Sequence, residues 1–302
     1  MLMIMIAGHV TLDRIRADQQ ERRTWVPGGP AVHASLAAAS LGIKPYIVSK
    51  IGRDFGRERI EWLRQMGVDT RFLKVTAAPT TKFEIRYRRG RRSMRLLSEC
   101  EKLRLSDLRR DLRIESLHIG PVTGEIPEVV AKSFADQSML TALDPQGYLR
   151  RIGRDNRVLR RPWLDRSLLR KIDVLKVSTD ELRTMTGIAN SRHALRKLGR
   201  MGPSICIHTK GGRGSDLSTH EGVFRIPAYK PKRVVDPTGA GDAFMGVFLC
   251  DYPRSRDAVW SASLGAAVAS LKVEKPGPDL VRDLSKLVER ANAVFSQVRR
   301  LE

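Results

Sequence analysis

Short apolar runs alternate along this chain with stretches in which apolar residues recur every three or four positions, the spacing of a helix with a buried face. Met1–Ala7, Tyr46–Lys50, Leu117–Ile119, Leu140–Leu143, Val174–Val177 and Ser204–Thr209 read as strands. The helical patterns between them carry their own punctuation. Pro30–Leu41 is alanine-rich and stops at Gly42, Phe55–Met66 ends at Gly67, a helix is entered at Pro127, and Asp180–Thr186 closes at Gly187. Proline in a first turn and glycine just past a last one fit the usual asymmetry of helix ends. Three further helices are expected near 240–250, 255–271 and 279–300. The alternation predicts an α/β fold with a mostly parallel sheet covered on both faces.

Thr80–Ser98 breaks the rhythm. Phe83, Ile85 and Tyr87 fall on one face, Arg-Gly-Arg follows at 89–91, and Met94 and Leu96 resume the alternation. Period two without room for a crossover helix predicts a hairpin turning near Gly90. Arg14–Trp25 can add a strand or loop beside it. Such a layer, from about 12–27 and 72–98, would lie over a sheet's ligand edge as a lid, although an ordinary edge hairpin would show the same alternation; its strands offer an edge across which a homodimer could pair.

The chain's 302 residues suit one large domain with this lid inserted. Cys100, Cys206 and Cys250 are odd in number, far apart and free of any Cys-x-x-Cys spacing, so neither disulfides nor zinc are indicated. The opening apolar run is short, has no basic residues before it and leads directly into Gly8 and Asp13, which predicts a first strand, not a signal peptide, and a cytoplasmic chain without a membrane span. The net charge of +22 is mostly arginine. It is spread along the chain and lacks an aromatic-interleaved RNA motif, so contact with nucleic acid is expected to be non-specific.

The chemistry concentrates in Asp-Pro-Thr-Gly-Ala-Gly-Asp-Ala-Phe at 236–244. Two glycines around Ala240 and an apolar run behind them read as a tight turn opening a buried helix. The first N–H groups of a helix lack internal partners, and its dipole adds positive charge there, so Gly239, Ala240 and Gly241 can hold a phosphate or the charge developing on one. Asp242 beside that anion would repel it. It suits the base that takes a proton from an attacking hydroxyl.

This string resembles the C-terminal signature of the ribokinase/PfkB family of sugar kinases. Pro27-Gly28-Gly29 with Ala31, Ala34 and Leu41-Gly42 resembles the N-terminal one. The resemblance implies a three-layer αβα sandwich with a small β lid. It implies that Asp13, after the first strand, accepts hydrogen bonds from sugar hydroxyls, although a carboxylate there can also cap a turn. It implies that Gly28 and Gly29 lie against the acceptor and that His33 stands where the family has an asparagine. Asp144-Pro145-Gln146-Gly147-Tyr148-Leu149-Arg150 departs from the family's Asp-x-Asn-x-Arg: Gln146 replaces asparagine and Arg150 falls two places late. This variant is similar to archaeal kinases of myo-inositol and related polyols, with Gln146 and Arg150 as acceptor residues.

For the donor, Ser178 and Glu181 occupy the family's Asn-x-x-Glu position, where Glu181 would orient the water shell of Mg²⁺; Ser-x-x-Glu before a helix is equally a capping box. Thr209, Gly211 and Gly214 match a family loop that holds nucleotide phosphate and ribose, with Lys210 and Arg213 able to add charge to the phosphates, though a plain hairpin turn would look alike. Asp236 and Thr238 match positions that can bind a potassium-like ion. The resemblance thus implies an ATP- and Mg²⁺-dependent kinase that phosphorylates a hydroxyl of a myo-inositol-like, ribose-like or fructose-like acceptor. A nucleoside kinase or a 6-phosphofructokinase of the family would use the same parts, with Arg86, Arg88, Arg91 or Arg95 available for a sugar phosphate. A non-catalytic nucleic-acid-binding protein on this scaffold is opposed by the Gly-Ala-Gly turn and Asp242.

Overall fold

A computed structural model describes residues 3–17, 20–21, 24–88, 91–109, 112–280 and 283–301. Ten strands form one sheet in the order Leu73–Thr76, Tyr46–Gly52, Ile4–Ala7, Ile114–Ile119, Ser138–Leu143, Val174–Ser178, Ile205–Thr209, Ser215–Thr219, Gly222–Ile226 and Arg299–Arg300. Pairing is parallel from the first of these to Ile205–Thr209 and antiparallel beyond it. The expected strands are therefore present and parallel. The antiparallel edge lies outside that expectation, because Ser215–Thr219 has Leu217 as its one apolar residue and so gives no apolar run.

The strands are apolar on both faces because helices cover both. On one side Phe134, Leu168, Leu182 and Leu195 pack onto Leu117, Leu143 and Leu175. On the other, the helices Pro30–Ala39, Ala240–Ser255, Ala258–Lys272 and Leu284–Phe295 close over the sheet through Val32, Phe248, Val268 and Ala291. This is the three-layer sandwich the resemblance implied. Ala240–Ser255 is the central helix of its layer, and every residue from Ala243 to Cys250 is buried. A Cβ on Gly246 would lie 2.2 Å from the carbonyl oxygen of Ala34, so the two helices cross in close contact. That crossing fixes the 236–242 turn relative to Gly28, Gly29 and His33. No described helix is long and apolar enough to cross a membrane.

The second sheet is the lid. Thr11–Ala17 pairs in parallel with Thr81–Arg88, which pairs antiparallel with Arg91–Ser98, while Gln20–Glu21 and Val26–Gly28 run antiparallel to Thr11–Ala17. Phe83 faces Leu96 and Ile85 faces Met94, and this inner surface packs with Ile15 and Val122. The turn at Gly90 lies outside the described residues. The lid's second segment starts at Thr81, not at 72: Leu73–Thr76 hydrogen-bonds to Tyr46–Gly52 and belongs to the central sheet. A small ribbon, Arg150–Ile152 with Val158–Arg160, leans on the lid through an Arg95–Arg157 bridge.

Candidate active site

The anion turn opens the Ala240–Ser255 helix as its sequence suggests. Gly239 is the N-cap with φ 79° and ψ 0°, a left-handed conformation costly for any residue with a Cβ. A Cβ there would also lie 2.2–2.4 Å from the His33 ring. The Ala243 N–H already bonds Gly239 O at 2.8 Å, and the Ala240 N–H reaches Pro237 O at 3.4 Å. The N–H groups of Gly239, Gly241 and Asp242 have no hydrogen-bond partner among the described residues. Three unpaired amides at the positive end of a helix make an anion hole.

Asp242 stands at the meeting point of two cavities. A narrow one of about 60 Å³ runs under the lid, and an open cleft of about 750 Å³ lies beyond it. Asp242 lines both and has no ion-pair partner among the described residues. Its surroundings push its carboxyl pKa up: burial first, opposed by the Lys176 ammonium and reinforced by Asp144.

The narrow cavity gathers the residues expected to meet an acceptor. Asp13 is buried, and the Thr11 hydroxyl donates to its Oδ1 at 2.8 Å. Its Oδ2 would lie 2.2 Å from a Cβ on Gly28, so this glycine is what lets the carboxylate reach the pocket. Burial raises Asp13 to about 6 against the hydrogen bond from Thr11 and the charges of Arg92 and Arg150. His33 and Gly29 line the same wall. Burial, then Lys272 and Arg92, lower His33 to about 3, so its ring is neutral. Its Nδ1 is buried without a partner among the described residues. Gln146 and Arg150 complete the pocket. Residues 145–147 form a 3₁₀ turn, and Arg150 reaches back to donate to Gln146 Oε1 at 2.7 Å and to Val122 O at 2.9 Å. The late arginine thus restores contact with residue 146. With Oε1 engaged, the Gln146 amide is left to donate.

On the far side of the turn is an apolar pocket of about 330 Å³, walled by Tyr229, Pro231, Val234, Ala266, Ala269 and Val273 and floored by Gly211, Gly214, Ala240 and Gly241. The Lys210–Gly214 loop is geometrically a hairpin turn, joining Thr209 to its antiparallel partner Ser215, and it also lines this pocket. The hairpin turn is therefore present, and the loop borders this pocket as well.

Residues 1–283 match the sequence model of the pfkB carbohydrate kinases. The chain belongs to the pfkB family. Among relatives, it is 26% identical to the cytidine kinase of Thermococcus kodakarensis over 92% of this chain and 98% of that one. It is 25% identical to the ATP-dependent 6-phosphofructokinase of Thermoanaerobacterium thermosaccharolyticum over 94% and 95%. A pyrophosphate-dependent kinase of the ribokinase family, solved with a pyrophosphate analog and myo-inositol, superposes with a TM-score of 0.82 at 26% identity, covering 97% of this chain and all of that one. The fold is the ribokinase fold, and this pfkB kinase is a phosphotransferase acting on a hydroxyl group of a sugar or nucleoside.

Other residues of this pfkB kinase fall where their motifs did not announce. The Ser178 hydroxyl accepts from the Glu181 N–H at 3.4 Å, and Glu181 Oε2 accepts from the Ser178 N–H at 2.7 Å, so the capping box exists. Glu181 nonetheless lines the large cleft, with Oε1 free of hydrogen bonds among the described residues. Lys210 turns away: its ammonium sits 2.7 Å from the buried Asp216 and lines neither the open cleft nor the apolar pocket. Both carboxylate oxygens of Asp236 accept backbone N–H groups, from Thr238 and Gly277, at 2.9 Å. The Thr238 hydroxyl pairs with Tyr87 Oη of the lid at 2.9 Å. Each of these oxygens therefore already carries one hydrogen bond.

The pattern reading missed a buried trio. Lys176 Nζ is 2.8 Å from Asp144 Oδ2, and His118 Nε2 is 3.4 Å from the same oxygen. A Cβ on Gly241 would lie 3.3 Å from Lys176 Nζ, so the ammonium faces the anion turn. Burial raises Asp144, but Lys176 and His118 outweigh it and hold the carboxyl below its usual value. Each of the three lies two residues past a position facing the Ala240–Ser255 side (Ser116, Ala142, Val174) on three adjacent parallel strands, with His118 and Asp144 at the carboxyl ends and Lys176 mid-strand. A polar residue in phase at the end of an apolar strand is the available signal, since ligands gather at such ends. Arg92, on the lid, is the other omission. It lines both cavities and has no hydrogen-bond or ion-pair partner among the described residues.

Proposed function

We propose that this chain transfers the γ-phosphoryl group of ATP, with Mg²⁺, to a hydroxyl of a small polyhydroxylated acceptor, with Asp242 as base. The observation that carries this reading is the position of Asp242: one carboxylate borders both the acceptor pocket and the cleft in front of three free amide N–H groups. Asp13, His33 and the Gln146 amide offer acceptor and donor groups to a polyol, and Gly28 and Gly29 let it lie close to the backbone. Asp242 takes the proton from the attacking hydroxyl, a contribution of roughly 10²–10⁴-fold. The amides and Lys176 stabilise negative charge on the transferred group, each donor contributing on the order of 3 kcal/mol.

The donor is assigned by shape. Pyrophosphate has no use for an apolar pocket beside the anion turn, whereas a nucleobase needs one, and Tyr229, Pro231 and Val234 supply it. Among the described residues no group of three or more His, Cys, Asp or Glu side chains is arranged to hold a metal alone. Mg²⁺ would therefore arrive on the nucleotide, neutralising phosphate charge, with Glu181 Oε1 positioned toward its water shell.

A second reading of the acceptor rests on Arg92. A guanidinium without a partner among the described residues, beside Asp13 and Arg150, suits an acceptor that already carries a phosphate or carboxylate. One experiment separates these readings. ATP and pyrophosphate are compared as donors against myo-inositol, ribose, fructose, fructose 6-phosphate, adenosine and cytidine, following phosphorylated product. Turnover with ATP and a neutral polyol supports the first reading, and preference for fructose 6-phosphate the second. Faster turnover with pyrophosphate than with ATP refutes the donor assignment.

A further inference from the structure

Behind the anion turn lies a charge that the phosphotransfer chemistry above does not use. Lys272 ends the Ala258–Lys272 helix and is only 1% exposed. Its Nζ is 3.4 Å from the carbonyl oxygen of Asp236. The surrounding loop is tightly tied: the N–H groups of Val235 and Asp236 both bond Val273 O, at 2.7 and 3.1 Å, and Gly277 N–H bonds the Asp236 carboxylate. The ammonium is close enough to His33, which packs on Gly239, to be the second cause of that ring's lowered basicity.

The geometry explains why a cation belongs there. The turn aims its N–H groups forward at the phosphoryl group, while the Asp236 carbonyl and carboxylate and the carbonyl end of the Ala258–Lys272 helix gather behind it. This back side is negative and dry, and a full positive charge stabilises it strongly. A monovalent metal ion could do the same, but the ammonium already stands 3.4 Å from the Asp236 carbonyl and takes that place. An alkylammonium head is close to potassium in size and charge.

We propose that the buried ammonium of Lys272 is a fixed, covalently held cation that makes phosphoryl transfer by this chain independent of potassium. The proposal rests on the kinase reading for its catalytic arm only. In the test, wild type and Lys272→Met are measured in potassium and in tetramethylammonium chloride, an ion too large for the site, at equal ionic strength. Turnover and thermal midpoint are both read. Wild type is expected to show the same rate and the same midpoint in both salts. Lys272→Met is expected to lose about two orders of magnitude in kcat in tetramethylammonium, the loss of one preorganised charge at a transferring centre. It is expected to recover about tenfold or more in potassium, where its midpoint also rises because the ion binds only the folded chain. Rescue by an ion separates a charge role from packing.

A wild-type rate or midpoint that climbs with potassium overturns the proposal, as does a Lys272→Met rate equal to wild type in tetramethylammonium. A Lys272→Met variant that potassium neither stabilises nor rescues overturns it too. Should the variant fail to fold, the wild-type salt comparison decides alone. If no acceptor is phosphorylated at all, the kinase reading fails while the thermal arm still decides whether Lys272 occupies a cation site.

Discussion

Asp13→Asn tests whether the acceptor pocket is held at a cost to the fold. Asp13 is buried, and burial raises it from 3.8 to about 6 despite the hydrogen bond from Thr11. For an acid with a raised folded pKa, the native chain holds a proton that the unfolded chain has released. The sign follows. Below about pH 4 both states are protonated and the group costs nothing. As pH rises through 6 the native state loses stability relative to a chain with a neutral side chain. A shift of two units corresponds to about 3 kcal/mol, fully expressed above pH 7. Asparagine keeps the shape and still accepts from Thr11 without carrying charge. The variant should therefore melt above wild type by about 6 °C at pH 8, taking roughly 2 °C per kcal/mol for a chain this long. The gain should vanish near pH 4. Over the same range kcat/KM for the acceptor should fall roughly 10–100-fold, the loss of hydrogen bonds to a charged acceptor. Differential scanning fluorimetry across pH, paired with initial rates, gives both numbers. A variant no more stable than wild type at pH 8, or equally stabilised at pH 4 and pH 8, would refute the reasoning.

Asp242→Asn is expected to lower kcat by about 10²–10⁴-fold with nucleotide affinity kept, seen by calorimetric titration of ATP alongside steady-state rates. Lys176→Met should lower kcat by roughly 10²-fold or more and also free Asp144 from its ammonium partner, so its midpoint should fall by about 3–5 kcal/mol equivalent in a denaturant titration. Gly239→Ala forces a Cβ into the His33 ring at a left-handed position. It should cost about 2–4 kcal/mol in urea unfolding, and adding His33→Ala should recover part of that. Tyr229→Ala should raise KM for ATP several-fold and leave any pyrophosphate-driven rate unchanged.

What the sequence made legible was local. The anion turn could be read because Gly239, Gly241 and Asp242 act within four residues of one another, and helix-end physics gives their roles. The lid hairpin could be read because alternation over Phe83, Ile85, Met94 and Leu96 leaves no other periodic element. The trio of His118, Asp144 and Lys176 was hidden because it joins three strands far apart in sequence, which only the sheet order makes neighbours. The Gln146–Arg150 contact needed knowledge of the 3₁₀ turn that carries the arginine back. Lys210 misled because a lysine in a phosphate-type loop is attractive until Asp216, six residues on, is placed beside it across an antiparallel pair. Lys272 gave no signal, since a lysine ending an apolar helix usually snorkels to water.

Asp13 and Asp242 are supported by different layers. The first rides on the Thr11–Ala17 strand of the lid, the second on the central helix of the core, and Tyr87 to Thr238 is the hydrogen bond that latches one to the other. Any tilt of the lid therefore carries the Asp13 carboxylate away from Asp242 and undoes the latch in the same motion. On the function proposed above, a donor bound under a tilted lid would find no acceptor held beside Asp242, and the architecture itself would guard against transfer to water.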